Sequence, residues 1–274
     1  MTTPLISADE LAAARAGGNP PIVLDVRWSL AGGTDRAGYD AGHIPGAVFV
    51  DFEHDICGPP GPGGRHPLPE PDDLEAALRR AGIDDGDDVV VVDAGDLLPA
   101  ARTWWTLRWA GMPSVRVLDG GMAAWPGSLD TTEVTPDAGH VTVRAGSIPA
   151  LDADDAAERA RAGQLVDVRA AERFRGETEP IDPVAGHVPE AVNVPDPMIV
   201  DGRMIPPGTI RALLSGIEHP AAYCGSGVTA ARMALAGATA GIDVDLYVGS
   251  WSDWITDPTR QIATGPHPAG SGPR

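Results

Sequence analysis

Two stretches of this chain occur twice. Val23-Leu24-Asp25-Val26-Arg27 returns as Leu165-Val166-Asp167-Val168-Arg169, and Gly42-His43-Ile44-Pro45 returns as Gly186-His187-Val188-Pro189. An internal repeat of this length means two copies of one fold, each with its own core. In the first copy Ser7 and Glu10 make a capping box, and the helix they open stops at Gly17-Gly18. Residues 22–26 read as a strand, 71–80 as a helix ended by Gly82, and 88–93 as a buried strand built on four valines. A helix over 99–110 carries Trp104, Trp105 and Trp109, and a strand over 115–118 leads through Gly120-Gly121 into a helix with Trp125. The second copy has a helix over 154–162 stopped by Gly163; its Ala222-Tyr223-Cys224 answers Val91-Val92-Asp93, and its Tyr247-Val248-Gly249-Ser250-Trp251 answers residues 118–122. Strands alternating with helices predict an α/β fold in tandem, each copy a parallel sheet with helices on both faces. The copies lie closer together late in the repeat than early, so the first contains extra residues between His43 and Asp93, in the Gly- and Pro-rich loop 57–66. The expected domains are 1–130 and 151–274, joined by a linker over 131–150 that lacks periodicity.

The copies differ where it matters for chemistry. Asp93 stands in the first where Cys224 stands in the second. Cys224-Gly225-Ser226-Gly227-Val228-Thr229 joins the end of a strand to the start of a helix over 228–240. Gly225 and Gly227 allow the backbone to curl its N–H groups toward one point, and the helix start adds unpaired N–H groups and a positive dipole end. That setting stabilises a thiolate and makes Cys224 a nucleophile rather than an inert buried thiol. A phosphatase loop has the form Cys-x5-Arg, with five residues between the two and Arg at position 230, but Ala230 is there and Arg232 comes two residues late. The loop therefore suits a guest smaller than phosphate, such as one sulfur atom carried on the cysteine.

Charge narrows the partners. The net charge is −19 over 274 residues, which argues against nucleic acid and against anionic membrane surfaces. The chain has no lysine, so arginine must supply the fixed positive charge around any small anionic substrate. Two cysteines make no disulfide framework, no run is long enough for a membrane span, and the N-terminus has neither a basic segment nor a signal-length apolar core. The cytoplasm is the expected compartment. No Cys/His spacing suggests a metal, and no cofactor is expected. The tail from Gly265, rich in Pro and Gly, is expected to be loose.

Cys224-Gly225-Ser226-Gly227-Val228-Thr229 resembles the active-site loop of two-domain sulfurtransferases of the rhodanese superfamily, most closely the 3-mercaptopyruvate sulfurtransferases. Tyr39 to Ala47 resembles the N-terminal rhodanese signature, and Tyr247 to Trp254 the C-terminal one, with Val248 and Asp253 as departures. Thiosulfate sulfurtransferases with a basic loop carry Arg and Lys where this chain has Gly225 and Ser226. The resemblance implies that Cys224 takes a sulfane sulfur from a small anionic donor as a persulfide and passes it to a thiol, such as a thioredoxin-like protein, or to cyanide. It implies that Arg173 holds the donor's anionic end, with Gly225, Gly227, Val228 and Thr229 around it. It further implies that Ser226 works with His66 and Glu53 in moving a proton, and that the half with Asp93 is not catalytic by itself. Many 3-mercaptopyruvate sulfurtransferases carry a second arginine nine residues past the position of Arg173, where this chain has Asp182. The first choice of donor is 3-mercaptopyruvate and the alternative is thiosulfate. A reading of another class is a non-catalytic persulfide-binding or partner-docking protein. His43, His187, Asp25 and Asp167 occur in both copies and are expected to hold turns.

Overall fold

The computed structural model describes residues 3–196 and 198–266. Of the tail expected to be loose, residues 267–274 lie outside the described residues. The chain forms two compact units, and each is discontinuous: one comprises residues 1–58, 68–148 and 199–204, the other 59–67, 149–198 and 205–274.

The first unit holds a five-stranded parallel sheet of β1 (Leu5–Ile6), β2 (Ile22–Asp25), β3 (Val48–Phe49), β4 (Val89–Val92) and β5 (Val115–Leu118), in the order β1-β5-β4-β2-β3. The second holds β6 (Ala150–Leu151), β7 (Leu165–Asp167), β8 (Val192–Asn193), β9 (Ala221–Tyr223) and β10 (Asp245–Tyr247), also parallel, in the order β6-β10-β9-β7-β8. The two orders are the same, so the sequence repeat is a fold repeat, and the tandem α/β expectation holds. Val89 to Val92 are all fully buried. Successive strand residues point to opposite faces, so this strand can be buried throughout only if both faces of its sheet are covered. On one face Val90 and Val92 pack with Leu11 of helix α1 (Ala8–Arg15). In the second unit Leu165, Ala221, Tyr223 and Tyr247 form the corresponding cluster, with Trp251 and Trp254.

Local signals act as the residues dictate. Ser7 Oγ accepts from the Glu10 N–H while the Glu10 carboxylate accepts from the Ser7 N–H, closing the capping box at α1. Gly120 and Gly121 both have positive φ, and the turn after β5 becomes a 3₁₀ segment, Gly121–Ala124, ending before Trp125 rather than a helix through it. Residues expected to be a linker are tied to the first unit: the N–H groups of Gly139, Val141 and Arg144 donate to the carbonyls of Arg79, Ile83 and Ala110.

The repeated Asp-x-Arg segments each end a strand with a buried ion pair. Arg27 pairs with Asp25 and donates to the Gly42 carbonyl, and Arg169 pairs with Asp167 and donates to the Gly186 carbonyl. The repeated histidines hold turns, His43 Nδ1 meeting the Tyr39 carbonyl at 3.0 Å and His187 Nδ1 the Phe174 carbonyl at 2.7 Å. Each ring stacks on an aromatic neighbour, Tyr39 or Phe174.

Candidate active site

Cys224 follows β9, and the helix Val228–Thr239 starts after Gly227, whose φ of 79° is open to glycine at little cost. The turn between them is fixed from the corner where β10 meets the helix Ser250–Trp254. The Cys224 N–H donates to Ser250 Oγ at 3.1 Å. The Trp251 and Ser252 N–H groups donate to the carbonyls of Cys224 and Gly225 at 3.0 and 2.9 Å. These bonds tie down the loop's oxygens and fix where the sulfur sits. Cys224 is 3% exposed; Ser226 and Val228 are buried and Thr229 half-buried.

His66 reaches this loop from residues 59–67, which belong to the second compact unit. His66 Nδ1 lies 2.8 Å from Ser226 Oγ, and both side chains are buried. Gly64 makes the approach possible. Its φ is 97°, and a Cβ there would meet the Gly249 carbonyl at 2.7 Å and Ser252 Oγ at 2.8 Å. The next residue, Arg65, donates its backbone N–H to Ser252 Oγ at 3.0 Å. Gly61 and Gly64 exchange two backbone hydrogen bonds, and Thr256 Oγ1 donates to the Pro62 carbonyl.

Arg173 sits in the short helix Ala171–Phe174, and its guanidinium is gripped by Glu179, Nε to Oε2 at 3.1 Å and Nη2 to Oε1 at 2.7 Å. Asp182 Oδ2 lies 3.4 Å from the same Nη2, and the other oxygen of Asp182 accepts from Arg65 Nη1. Asp182 thus bridges two arginines. Gly225 and Ser226 carry no charge, yet a Cβ on Gly225 would lie 2.9 Å from Arg65 Nη2 and 3.6 Å from Arg173 Nη2. Positive charge reaches the loop from outside it.

The remaining residues fall as follows. Glu53 is in the first unit, where its carboxylate accepts from Trp28 Nε1 at 3.1 Å. Arg232, in the helix Val228–Thr239, is paired with Asp196, so the late arginine of the loop motif is held by a carboxylate. Asp253, a departure from the C-terminal signature, accepts from the Tyr247 hydroxyl at 2.6 Å, and burial pushes its carboxyl above the usual range. In the first unit Asp93 follows β4 as Cys224 follows β9. Its carboxylate accepts from the Gly95 N–H at 2.8 Å and the Ala100 N–H at 3.4 Å. The Met122 N–H donates to the Asp93 carbonyl as the Trp251 N–H does to that of Cys224, which fixes the equivalence of the two turns. Sequence reasoning missed Arg65 and Glu179. Arg65 stands next to His66, and a chain without lysine must bring its cations from somewhere; that was the available signal.

The sequence matches the rhodanese-like domain twice, over residues 7–127 and 152–257. The chain belongs to the rhodanese family. This rhodanese is 45% identical to SseB of Mycobacterium tuberculosis, over 95% of the chain and 97% of that protein, which is named by inference as a thiosulfate sulfurtransferase. It is 43% identical to a Pseudomonas aeruginosa protein named, also by inference, as a 3-mercaptopyruvate sulfurtransferase, over 95% of the chain and 98% of that protein. Its fold superposes on SseA of Escherichia coli, of the 3-mercaptopyruvate group, with a TM-score of 0.79 and 32% identity, covering 92% of the chain and all of that structure. The rhodanese described here is a sulfurtransferase, the enzyme class named for both sequence relatives. Among its described residues, no helix is long and apolar enough to cross a membrane.

Proposed function

We propose that this rhodanese takes the thiol sulfur of 3-mercaptopyruvate, carries it as the outer, sulfane sulfur of a persulfide on Cys224, and passes it to a thiol acceptor. The Cys224 thiolate attacks the donor sulfur. The C–S bond breaks with its electron pair on carbon, leaving pyruvate enolate, which takes up a proton to become pyruvate. An acceptor thiolate then attacks the outer sulfur and frees Cys224 as thiolate. A thioredoxin-like protein or a small thiol fits that second step, and cyanide serves in a test tube.

One observation carries the choice of donor: the buried 2.8 Å contact between His66 and Ser226, two residues past Cys224. An enolate needs a proton at carbon, and a hydroxyl backed by imidazole is a relay that can deliver it. Sulfite leaving from thiosulfate needs no such proton. The alternative donor, thiosulfate, is favoured by the two guanidinium groups against Gly225. Their charges are already matched by Glu179 and Asp182, however, so a monoanion is the better fit. Asp93 cannot carry sulfur, and its carboxylate takes up the backbone N–H groups of its own turn, so the first unit is assigned no transfer of its own.

Steady-state assays with both donors test the proposal. The kcat/KM should be higher for 3-mercaptopyruvate, with one pyruvate released per sulfur transferred. Ser226→Ala and His66→Gln should slow pyruvate release by about 10²- to 10⁴-fold, the usual worth of a positioned acid or base, and slow transfer from thiosulfate far less. A wild-type preference for thiosulfate, insensitive to both changes, would install thiosulfate as the donor.

A further inference from the structure

We propose that Arg65 is a donor-binding residue that reaches the anionic end of the donor past Gly225, and that Asp182 holds it there. This rests on the sulfur-transfer reading above.

The geometry is built from two directions. The backbone of Arg65 is pinned to Ser252 Oγ, and the Ser252 N–H is bonded to the Gly225 carbonyl, so one residue ties Arg65 to the turn that carries Cys224. The far end of Arg65 is tied by Nη1 to Asp182, whose side chain is 3% exposed. Between these anchors the guanidinium lies over Gly225, with Nη2 2.9 Å from where a Cβ would be, and Arg173 Nη2 and Nη1 come to 3.6 and 3.8 Å of the same point. Glycine at 225 leaves this space clear for a ligand that both forks can reach.

A salt bridge serving only stability would leave nothing over. Here Nε of Arg65 is buried with no hydrogen-bond partner among the described residues. Leaving such a donor unmet is costly, so the pairing with Asp182 does not satisfy the whole guanidinium. Burial lowers the Arg65 pKa, and the negative charge available on Cys224 acts in the opposite direction. Glu179 already occupies two positions of the Arg173 fork, Nε and Nη2. Arg65 has only Nη1 bonded to Asp182, which leaves it the better placed of the two to receive an oxyanion.

The test compares wild type, Arg65→Gln and Arg65→Lys, all on a Cys57→Ser background, by two readouts. The first is donor kinetics. Arg65→Gln should raise KM about tenfold to 100-fold, the loss expected for one charge-assisted contact. The rise should be larger for dianionic thiosulfate than for 3-mercaptopyruvate, with kcat changed less than about threefold, and Arg65→Lys should recover part of it. The second readout needs no turnover: the ratio of Cys224 alkylation rates by iodoacetate and by neutral iodoacetamide. Arg65→Gln should lower that ratio by about the same factor as it weakens donor binding. An unchanged ratio, or a loss of kcat with KM unmoved and the melting temperature lowered, would make Arg65 a structural partner of Asp182 and overturn the proposal. If wild type turns over neither donor but the ratio still falls in Arg65→Gln, the anion site stands and the assignment of donor fails.

Discussion

Cys57 and Cys224 are both free and both buried, yet their surroundings differ. Cys57 is buried directly after the helical turn Phe52–Ile56, and burial pushes its thiol up to about 11, with Arg102 acting in the opposite direction. A thiol of that kind is almost entirely protonated at neutral pH and is a poor nucleophile. Intact-mass measurement after donor treatment should show one added sulfur on wild type and on Cys57→Ser, and none on Cys224→Ser; a sulfur mapped to Cys57 would refute this. His187 makes a pH prediction. Burial holds its pKa below the ordinary value of about 6.5, and its Nε2 is buried without a partner among the described residues. The folded state therefore binds this proton less readily than the unfolded chain. The stability it contributes is present above pH ~6.5 and is lost as pH falls through the folded pKa. Urea unfolding of wild type from pH 7.5 down to 5 should show that decline, and His187→Gln should flatten it. Equal slopes in the two proteins would assign the decline to other groups.

At the scale of elements, the short range was legible in sequence and the long range was not. The capping box at Ser7, the helix Pro71–Arg80 and the strand Val115–Leu118 are set by residues a few positions apart, and they lie where local chemistry puts them. The Cys224 turn was legible for the same reason. Arg65 was not, because its meaning depends on a glycine 160 residues away and on Asp182, and nothing in the local Gly/Pro pattern predicts which way that loop leans. The bridge Asp182 makes between Arg65 and Arg173 was equally invisible, since a lone Asp at that position reads only as a lost arginine. The loop's dependence on glycine gives a prediction. Gly64→Ala would put a methyl against the Gly249 carbonyl at a φ that L-residues rarely adopt. Such a position costs about 1–3 kcal/mol, which the segment can relieve only by moving away from Ser252. Transfer activity should therefore fall by at least about tenfold, with the overall melting temperature lowered by only a few degrees. Full activity in Gly64→Ala would mean that the approach to Ser252 is dispensable.

On the scale of the whole molecule, the fold repeat and the compact units divide the chain differently. The repeat divides it once, near its middle, but residues 59–67 cluster with the second unit and residues 199–204 with the first. In the first unit, Asp119 accepts from the Met204 N–H at 2.9 Å and lies 3.7 Å from the Arg203 guanidinium. In the second, His66 meets Ser226. Replacing residues 59–67 of the full chain by a Gly/Ser linker of equal length should leave the first unit folded and lower transfer from 3-mercaptopyruvate by at least about 100-fold, because His66 and Arg65, with their proposed roles, go together. Circular dichroism and the donor assay check the two halves of that statement, and retained turnover would break the link between this segment and the chemistry. The same division bears on inheritance. A crossover between two related genes near codon 148 would pass on Cys224, Ser226 and Arg173 from one parent while drawing Arg65 and His66 from the other. Offspring of such an exchange would keep the nucleophile and acquire a new set of donor contacts in a single event, so preference among sulfur donors could change abruptly in this lineage while the cysteine loop stayed the same.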